Sequence, residues 1–570
     1  MARSQTGPKQ SGKKGKTAFN AVLFVTLSIG SLAALNVLST RHFKRLDMTE
    51  QGSYTLAKSS KDLVKNLPDR MNVKLFMSED LKPPFKQHAQ FVRDLLQEYA
   101  TYSDGKFNVE VIKIGEGEDA KKKEEEAQKF GVQKTNRGVM SSTKMEIGST
   151  YLGIGFSYKD KTEAIPVIDR DEGLEFQISS LIKQLTVKKK KVAFASSEGE
   201  SGPAHGGGIS FLAEQLKGSG YDTTTVELKA KVPDDVDALM IIGPKQPFSE
   251  RAKYVIDQYL MSGKSVGFFV DGQTMTTPRG QMAPGMEMPQ ISQANDVQLD
   301  DLLGGYGLKI QKDIILDAKN FPGPATVGMQ RFLLNHPVFM MVSPLPQQHP
   351  INENMPGLLL SYASSVELVG DTKAGKGPVQ FAKLAESSAK SWRPSGPFVF
   401  MPLQRGRDLT QGEDKGPFVL GYAGQGKFKS AFAGKQIVKE DGTKVDPNIS
   451  QPGTEPMLTE AKESARLVVL GDADFVQDQF LEVGLRAGVR DYLTNAVYAL
   501  SVIDWLAQDE TLTPVRRKGM QSRPLNQDRM GEGVVSLLKA ANIVALPLLL
   551  LLIGLIRWRL RNSARASARL

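Results

Sequence analysis

Apolar residues recur with two local rhythms over most of this chain, and near each end they run unbroken. Leu63, Val64 and Leu67 share one face of a helix that Ser59 or Ser60 can cap. Residues 72–76 (NVKLF) read as a strand, after which Phe91, Val92, Leu95, Leu96 and Tyr99 return to helical spacing. The turn Ser103-Asp104-Gly105 leads into a strand over 107–114 with alternating apolar positions. Residues 116–129 (EGEDAKKKEEEAQK) are dense in charge of both signs, as a solvated helix is. Strands at 151–158 and 163–168 and a helix through Phe176, Ile178, Leu181, Ile182 and Leu185 complete a first α/β unit.

The rhythm then changes. Residues 191–196 (KVAFAS), 237–244 (DALMIIGP) and 265–271 (SVGFFVD) are nearly continuous apolar runs, the mark of strands covered on both faces. Residues 223–228 (TTTVEL) make a fourth strand. Between them, Phe211, Leu212 and Leu216 form a helix face closed by Gly218 and Gly220. Ser249 caps a second helix with Ala252, Val255, Ile256, Tyr259 and Leu260 inward, ended by Gly263. The pattern resumes at 466–475 (RLVVLGDADF) and in a helix over 490–506. The intervening 273–460, rich in Pro, Gly and Met, reads as loops and short strands inserted into the sheet.

The ends are different in kind. Residues 19–38 carry no charge, and as a helix they span about 30 Å, the thickness of a bilayer core. Residues 540–556 form a second such segment, extending back to Val534 if Lys539 snorkels. Pro547 kinks it, which membranes tolerate, and Trp558 falls at an interfacial position. The first segment has a rival reading as a cleaved signal peptide, with Ser31-Leu32-Ala33 as the cleavage site. Its continuation to spanning length favours an anchor.

Charge orients both segments. Residues 1–16 hold five basic side chains and no acid, and residues 557–570 hold another five and no acid. Together they account for the whole net charge of +10 and leave 17–556 neutral. A pI of 9.2 usually raises nucleic acid as a partner. Here the excess flanks apolar segments, so the expectation is a membrane protein with cytoplasmic ends and no nucleic-acid partner. A length of 570 residues calls for more than one core. The absence of cysteine excludes disulfides, cysteine nucleophiles and thiolate metal sites.

Candidate chemistry gathers at strand ends, where open α/β sheets bind ligands. Ser196-Ser197-Glu198-Gly199-Glu200 and His205 follow the strand 191–196, so Glu198, Glu200 and His205 are candidates for a polar ligand or metal. Asp472 and Asp474 occupy the analogous end after 466–470, where a turn and helix cap is the competing reading. Gly370–Gly377 (GDTKAGKG) and Gly421–Phe428 (GYAGQGKF) fit a phosphate-loop frame but lack the terminal Ser or Thr, and read as glycine-rich turns. Met275, Met282, Met286 and Met288 form a thioether-rich loop suited to adaptable contacts or, less fittingly without histidine, Cu(I). The five histidines sit in no hydrolase or metalloprotease motif. No catalytic residue, metal or cofactor is assigned.

Several segments resemble the GldG-like family, auxiliary components of ABC-type transport systems associated with gliding motility. In residues 46–67, Asp47, Thr49, Tyr54, Thr55 and Leu56 match, with Ala57 in place of the usual Ser. Residues 191–200 resemble the family's strand followed by Gly-His-Gly-Glu, with Ser196 and Ser197 replacing the Gly-His pair. Residues 232–271 match best, and 426–434, 468–475, Asn495 and Asp504-Trp505-Leu506 are similar to the last soluble block. The resemblance implies a periplasmic region related to glutamine-amidotransferase-like folds without their cysteine. It also implies two partners, an ABC permease and a cytoplasmic ATPase.

The expected fold class is therefore α/β, with tandem units outside the cytoplasm between two transmembrane helices. The expected divisions are a basic tail (1–17), a first span (18–40), a first α/β unit (41–187) and a second (188–510) with its insertion. A connector (511–533), a second span (534–556) and a basic tail (557–570) follow. The setting is a bacterial inner membrane and the role a non-catalytic auxiliary subunit. A periplasmic scaffold or sensor, or a periplasmic hydrolase, is the alternative.

Overall fold

The computed structural model describes residues 55–518, except 84, 141–144, 205–207, 277–288, 328–329, 344, 375–376, 402–413, 446–455 and 487–491. It also describes 26–27, 30–31, 548 and 551–559. Contacts divide the chain into 1–56 and 57–570. Both long apolar segments fall largely outside the described residues. In the first division 26–27 and 30–31 are helical and exposed, and in the second 551–559 are helical with Leu551, Ile553, Leu555 and Trp558 exposed. Among the described residues, no helix is long and apolar enough to cross a membrane.

Residues 57–186 form a mixed α/β unit. Its elements are α1 (Lys58–Lys65), β1 (Met71–Ser78), α2 (Phe85–Tyr102), β2 (Phe107–Ile114), α3 (Glu118–Lys129), β3 (Lys134–Met140), β4 (Met145–Tyr158), β5 (Lys161–Ile165) and α4 (Leu174–Thr186). Ala89, Val92, Leu96 and Tyr99 bury the inner face of α2, the crossover between parallel β1 and β2. The sheet runs β2-β1-β4-β3, with β5 also paired to β4. Strand β3 (KTNRGVM) lacks the apolar alternation that reveals strands. It forms because the first half of the fourteen-residue β4 extends beyond β1 and offers it a partner.

The second unit is built on a seven-stranded sheet. Its elements are β6 (Lys190–Ala195), α5 (Ser210–Gly218), β7 (Tyr221–Val226), β8 (Ala238–Ile242), α6 (Glu250–Met261) and β9 (Ser265–Phe269). The insertion supplies β10 (Asn320–Val327), β11 (Gln330–Val342), β12 (Leu358–Ser361), β13 (Val379–Glu386) and β14 (Val419–Gly426). Then follow β15 (Ala465–Leu470), α7 (Asp478–Arg486), α8 (Tyr492–Leu506) and α9 (Thr513–Lys518). Spatial order is β13-β14-β15-β9-β8-β6-β7, with β15 to β7 parallel and the other two antiparallel. The five parallel strands have the doubly wound order 2-1-3-4-5, with its switch point between β6 and β8.

The apolar runs behave as their composition dictates. In β8, Ala238, Met240 and Ile242 enter one core with Leu212, Leu216 and Ile503, while Leu239 and Ile241 enter another with Val255, Ile256 and Leu260. The Ser249 cap is present, its Oγ accepting from the Ala252 amide at 3.1 Å. The insertion is more ordered than its composition suggests. It contributes β13 and β14 to the main sheet and a separate sheet, β10-β11-β12. Residues 421–426 are thus a buried strand rather than a glycine-rich turn. A Cβ on Gly421 would stand 2.2 Å from Leu470, which is why glycine is required there.

At the amino edge of the main sheet, an ionic network fastens everything together. Asp504, 1% exposed, accepts from Tyr221 Oη at 2.8 Å, Thr513 Oγ1 at 2.7 Å and Arg516 Nη1 at 2.7 Å. Arg517 donates to the carbonyls of Pro350, Ile351 and Glu353 in the β11–β12 loop. Lys518 Nζ meets Glu175 of α4 at 2.7 Å, and Lys183 of α4 meets Asp509 at 2.5 Å. The short α9, within the stretch that reads as a connector, therefore joins the first unit, the sheet and the insertion. Its sequence, TPVRRK, looks like a polar linker because the groups that bury it lie outside the segment: Asp504 for Arg516, the carbonyls of 350–353 for Arg517 and Glu175 for Lys518.

Candidate functional site

The carboxyl ends of β6, β8, β9 and β15 converge on one edge. They carry the loop 196–201, Gly243–Lys245, Asp271 and Asp472–Asp474. Ser201 N donates to Ile242 O at 2.8 Å, and the amides of Lys245 and Gln246 both donate to Glu198 O at 3.0 Å. These bonds close the loops after β6 and β8 across the switch point. Gly243, with φ of 57°, makes the approach possible, with Ala473 Cβ only 3.4 Å from where its own Cβ would stand.

Four of the five sequence-designated residues can be placed on this edge, and His205 lies outside the described residues. Glu200 Oε2 accepts from the Glu198 amide at 2.6 Å, while its Oε1 is buried with no hydrogen-bond partner. Burial raises the Glu200 carboxyl above its ordinary range, and the Glu198 charge adds to the shift. Asp472 is a structural residue. Its Oδ2 accepts from Ser361 N at 2.6 Å and its Oδ1 from Phe475 N at 3.1 Å, pinning β12 to the turn after β15. Asp474 is half-buried beside it.

Asp271, which sequence reading left as the end of a strand, completes the cluster. Its Oδ1 accepts from Ala473 N at 2.6 Å. Burial pushes its carboxyl up to about 6. Burial, then the Asp271 charge, push Asp472 and Asp474 well up, with Lys245 opposing at Asp474. The carboxyl edge therefore gathers carboxyl groups whose protonated forms burial favours. Among the described residues, no three His, Asp or Glu are arranged to hold a metal ion.

A second missed residue settles what this edge does not offer. In doubly wound sheets the helix N-terminus after the first strand receives anions. Here Asp478 fills it, accepting from Ser210 N and Phe211 N at 2.9 Å and from Ser210 Oγ at 2.7 Å. The chain's own carboxylate occupies the phosphate position. Of the methionine loop, Met275 packs half-buried against a core, and Met282, Met286 and Met288 lie outside the described residues. Burial lowers His336 and His349 to about 4, so both are neutral at physiological pH.

Fold and site together define a doubly wound α/β protein whose carboxyl edge is acidic and whose anion position is closed from within. The chain belongs to the auxiliary family described as "ABC-type uncharacterized transport system", whose model matches residues 189–500. A second family model, a domain of unknown function (DUF7088), matches residues 50–157. An uncharacterized protein of Borreliella burgdorferi is 22% identical over 560 residues, covering 96% of this chain and 100% of that protein. A solved structure titled mmIFT52 N-terminal domain is 13% identical with a TM-score of 0.29, covering 55% of this chain and 97% of that one. At that score the likeness carries no argument.

Proposed function

We propose that this chain is a membrane-anchored, non-catalytic auxiliary subunit of an ABC-type transporter, held by both ends in a bacterial inner membrane with its central region periplasmic. Family membership is the observation that carries the reading, since it ties the chain to ABC-type transport systems. Two further features support it. The net charge is confined to the two tails beside uncharged segments. The phosphate position of the large sheet is filled by Asp478, leaving nucleotide chemistry to a separate ATPase.

In this reading the apolar segments pack on a permease and the carboxyl edge of the main sheet receives or positions a polar, cationic group of the transported substance. A buried cluster of carboxyls attracts such a group because its charge relieves their mutual repulsion. The GldG-like resemblance is narrower than the family matched, and gliding motility is one setting in which such a subunit works. Mild-detergent affinity purification of the full chain, with mass spectrometry of stoichiometric companions, tests the proposal. A permease and a nucleotide-binding subunit in fixed ratio are expected. Recovery with envelope components alone would replace it with a scaffold role.

A further inference from the structure

Helix α6 has nine of its twelve residues buried, yet one stripe of it borders a cavity of about 890 Å³. Arg251, Tyr254, Val255, Gln258, Tyr259 and Ser262 line it, and their i, i+3, i+4, i+7, i+8, i+11 spacing puts them on a single helix face. From first to last the stripe runs about 16 Å. Three other segments complete the lining: the loop before β8, the hairpin that pairs Ile437 with Val445, and the stretch carrying Leu458 and Lys462.

The stripe braces these segments. Arg251 donates through Nε to Lys229 O at 2.8 Å and through Nη1 to Val438 O. Gln258 exchanges two hydrogen bonds with the Leu458 backbone, at 2.7 and 3.0 Å, and Tyr259 Oη donates to Val236 O at 3.1 Å. Lys264 Nζ donates to Asp234 O at 3.1 Å. The cavity is thus a built feature. The same bonds narrow what it can hold, because these backbone carbonyls already receive side-chain donors. An extended peptide, which binds through backbone pairing, finds little to pair with.

What the cavity does offer is apolar surface ringed by cations, the make-up of a small-molecule site. Val232, Tyr254, Tyr259, Ile437 and Leu458 supply the apolar part. Lys231, Arg251, Lys264, Lys439 and Lys462 supply positive charge. Three acids, Asp234, Glu440 and Asp441, leave it in excess. Arg251 is the most enclosed of the charges considered, with its side chain 15% exposed, and the acid it faces, Glu440, is exposed and 3.9 Å away. Burial lowers the Arg251 guanidinium, with Glu440 opposing, so an anion beside it would relieve the cost of enclosing it.

We propose that this cavity is a binding site for an amphipathic anion, its apolar or aromatic body on the α6 stripe and its carboxylate or phosphate head among the lysines and Arg251. The site is separate from the carboxyl edge, since the loop before β8 and Lys264 before β9 lead into the amino ends of those strands. It stands whether or not the transporter reading does.

The chain contains no cysteine, so a single one takes a label uniquely. Ser262→Cys, at the exposed end of the stripe, receives a trifluoromethyl tag, and Lys217→Cys, exposed on α5, receives the same tag as a control. The full-length variants are held in nanodiscs of phosphatidylcholine, which has no net charge, and fluorine NMR follows titration with phenylbutyrate or octyl phosphate. A saturable shift at 262 and none at 217 is expected. Octylammonium and inorganic phosphate, each lacking half of the chemistry, should bind about tenfold more weakly. Lys439→Gln together with Lys462→Gln should weaken octyl phosphate about fivefold. Octylammonium binding as well as octyl phosphate, matching shifts at 217, or indifference to the two glutamines each overturns the site. Where the titration upholds it, phosphatidylglycerol discs identify the source. A tag already at its bound position before any addition means that a lipid headgroup fills the cavity, and an unshifted tag means that a dissolved anion does.

Discussion

The two edges of the main sheet treat buried charge in opposite ways. At the amino edge each acid meets a cation: Asp504 with Arg516, Asp509 with Lys183, Glu510 with Arg466. At the carboxyl edge Asp271, Asp472 and Asp474 crowd one another, with Lys245 offsetting Asp271 and Asp474. Asp472 receives two backbone amides and is still raised, so burial outweighs hydrogen bonding there. One edge is arranged to hold the molecule together. The other keeps carboxyls in a setting where burial works against their charge and so costs stability.

Breaking the amino edge should have the largest effect. Asp504→Ala leaves Arg516 buried and unpaired and is expected to lower stability by about 3–5 kcal/mol. Urea unfolding followed by Trp505 emission reads it directly, because Trp505 lies under Arg466 at this edge. A loss below about 1 kcal/mol would mean that the network is ornamental.

The carboxyl edge should respond with the opposite sign. Asp271 titrates at about 6 in the folded chain against an ordinary 3.8, so folding favours its protonated form. The stability tied to that proton is complete below about pH 4 and is lost as pH rises through 6. Asp271→Asn keeps the acceptor for Ala473 N and removes the charge. It should therefore raise stability by about 1–3 kcal/mol at pH 7.5, with the gain gone near pH 4. Paired urea titrations at the two pH values check this. A loss at pH 7.5 would show that the charge itself is structurally required.

The smallest effect sharpens the comparison at the helix between the edges. Asp478→Ala removes the cap of α5 and should cost about 1–2 kcal/mol. It also vacates an anion position, so sulfate should stabilise this variant more than the parent chain in thermal scans. Equal response to sulfate would show that the position is closed by more than Asp478.

What could be read from sequence was local. The run Ala238–Ile242, the Ser249 cap and the periodic face of α2 depend on neighbours within a few residues, and each folds as its pattern dictates. The strand-end rule put Glu198, Glu200, Asp472 and Asp474 at strand ends, where the structure also has them, and the same rule reaches Asp271 at the end of SVGFFVD. Contacts between distant segments left no such trace. Asp478 caps a helix 268 residues away, and Lys518 pairs with an acid 343 residues away. Nothing in TPVRRK announces the buried side of its arginines. The glycines of β14 look like turn residues until Leu470 and Phe381 are seen pressing on them.

The position of β15 has a consequence for how the molecule is made. This strand lies between β9 and β14, yet it is the last strand of the sheet to leave the ribosome. Until residues 465–470 emerge, β9 and β14 each present an open edge of unpaired amides and carbonyls. A nascent chain released before that point has all of the insertion and most of the sheet, but in two pieces with sticky borders. Its fate is decided by whatever holds those borders apart until the final strand arrives.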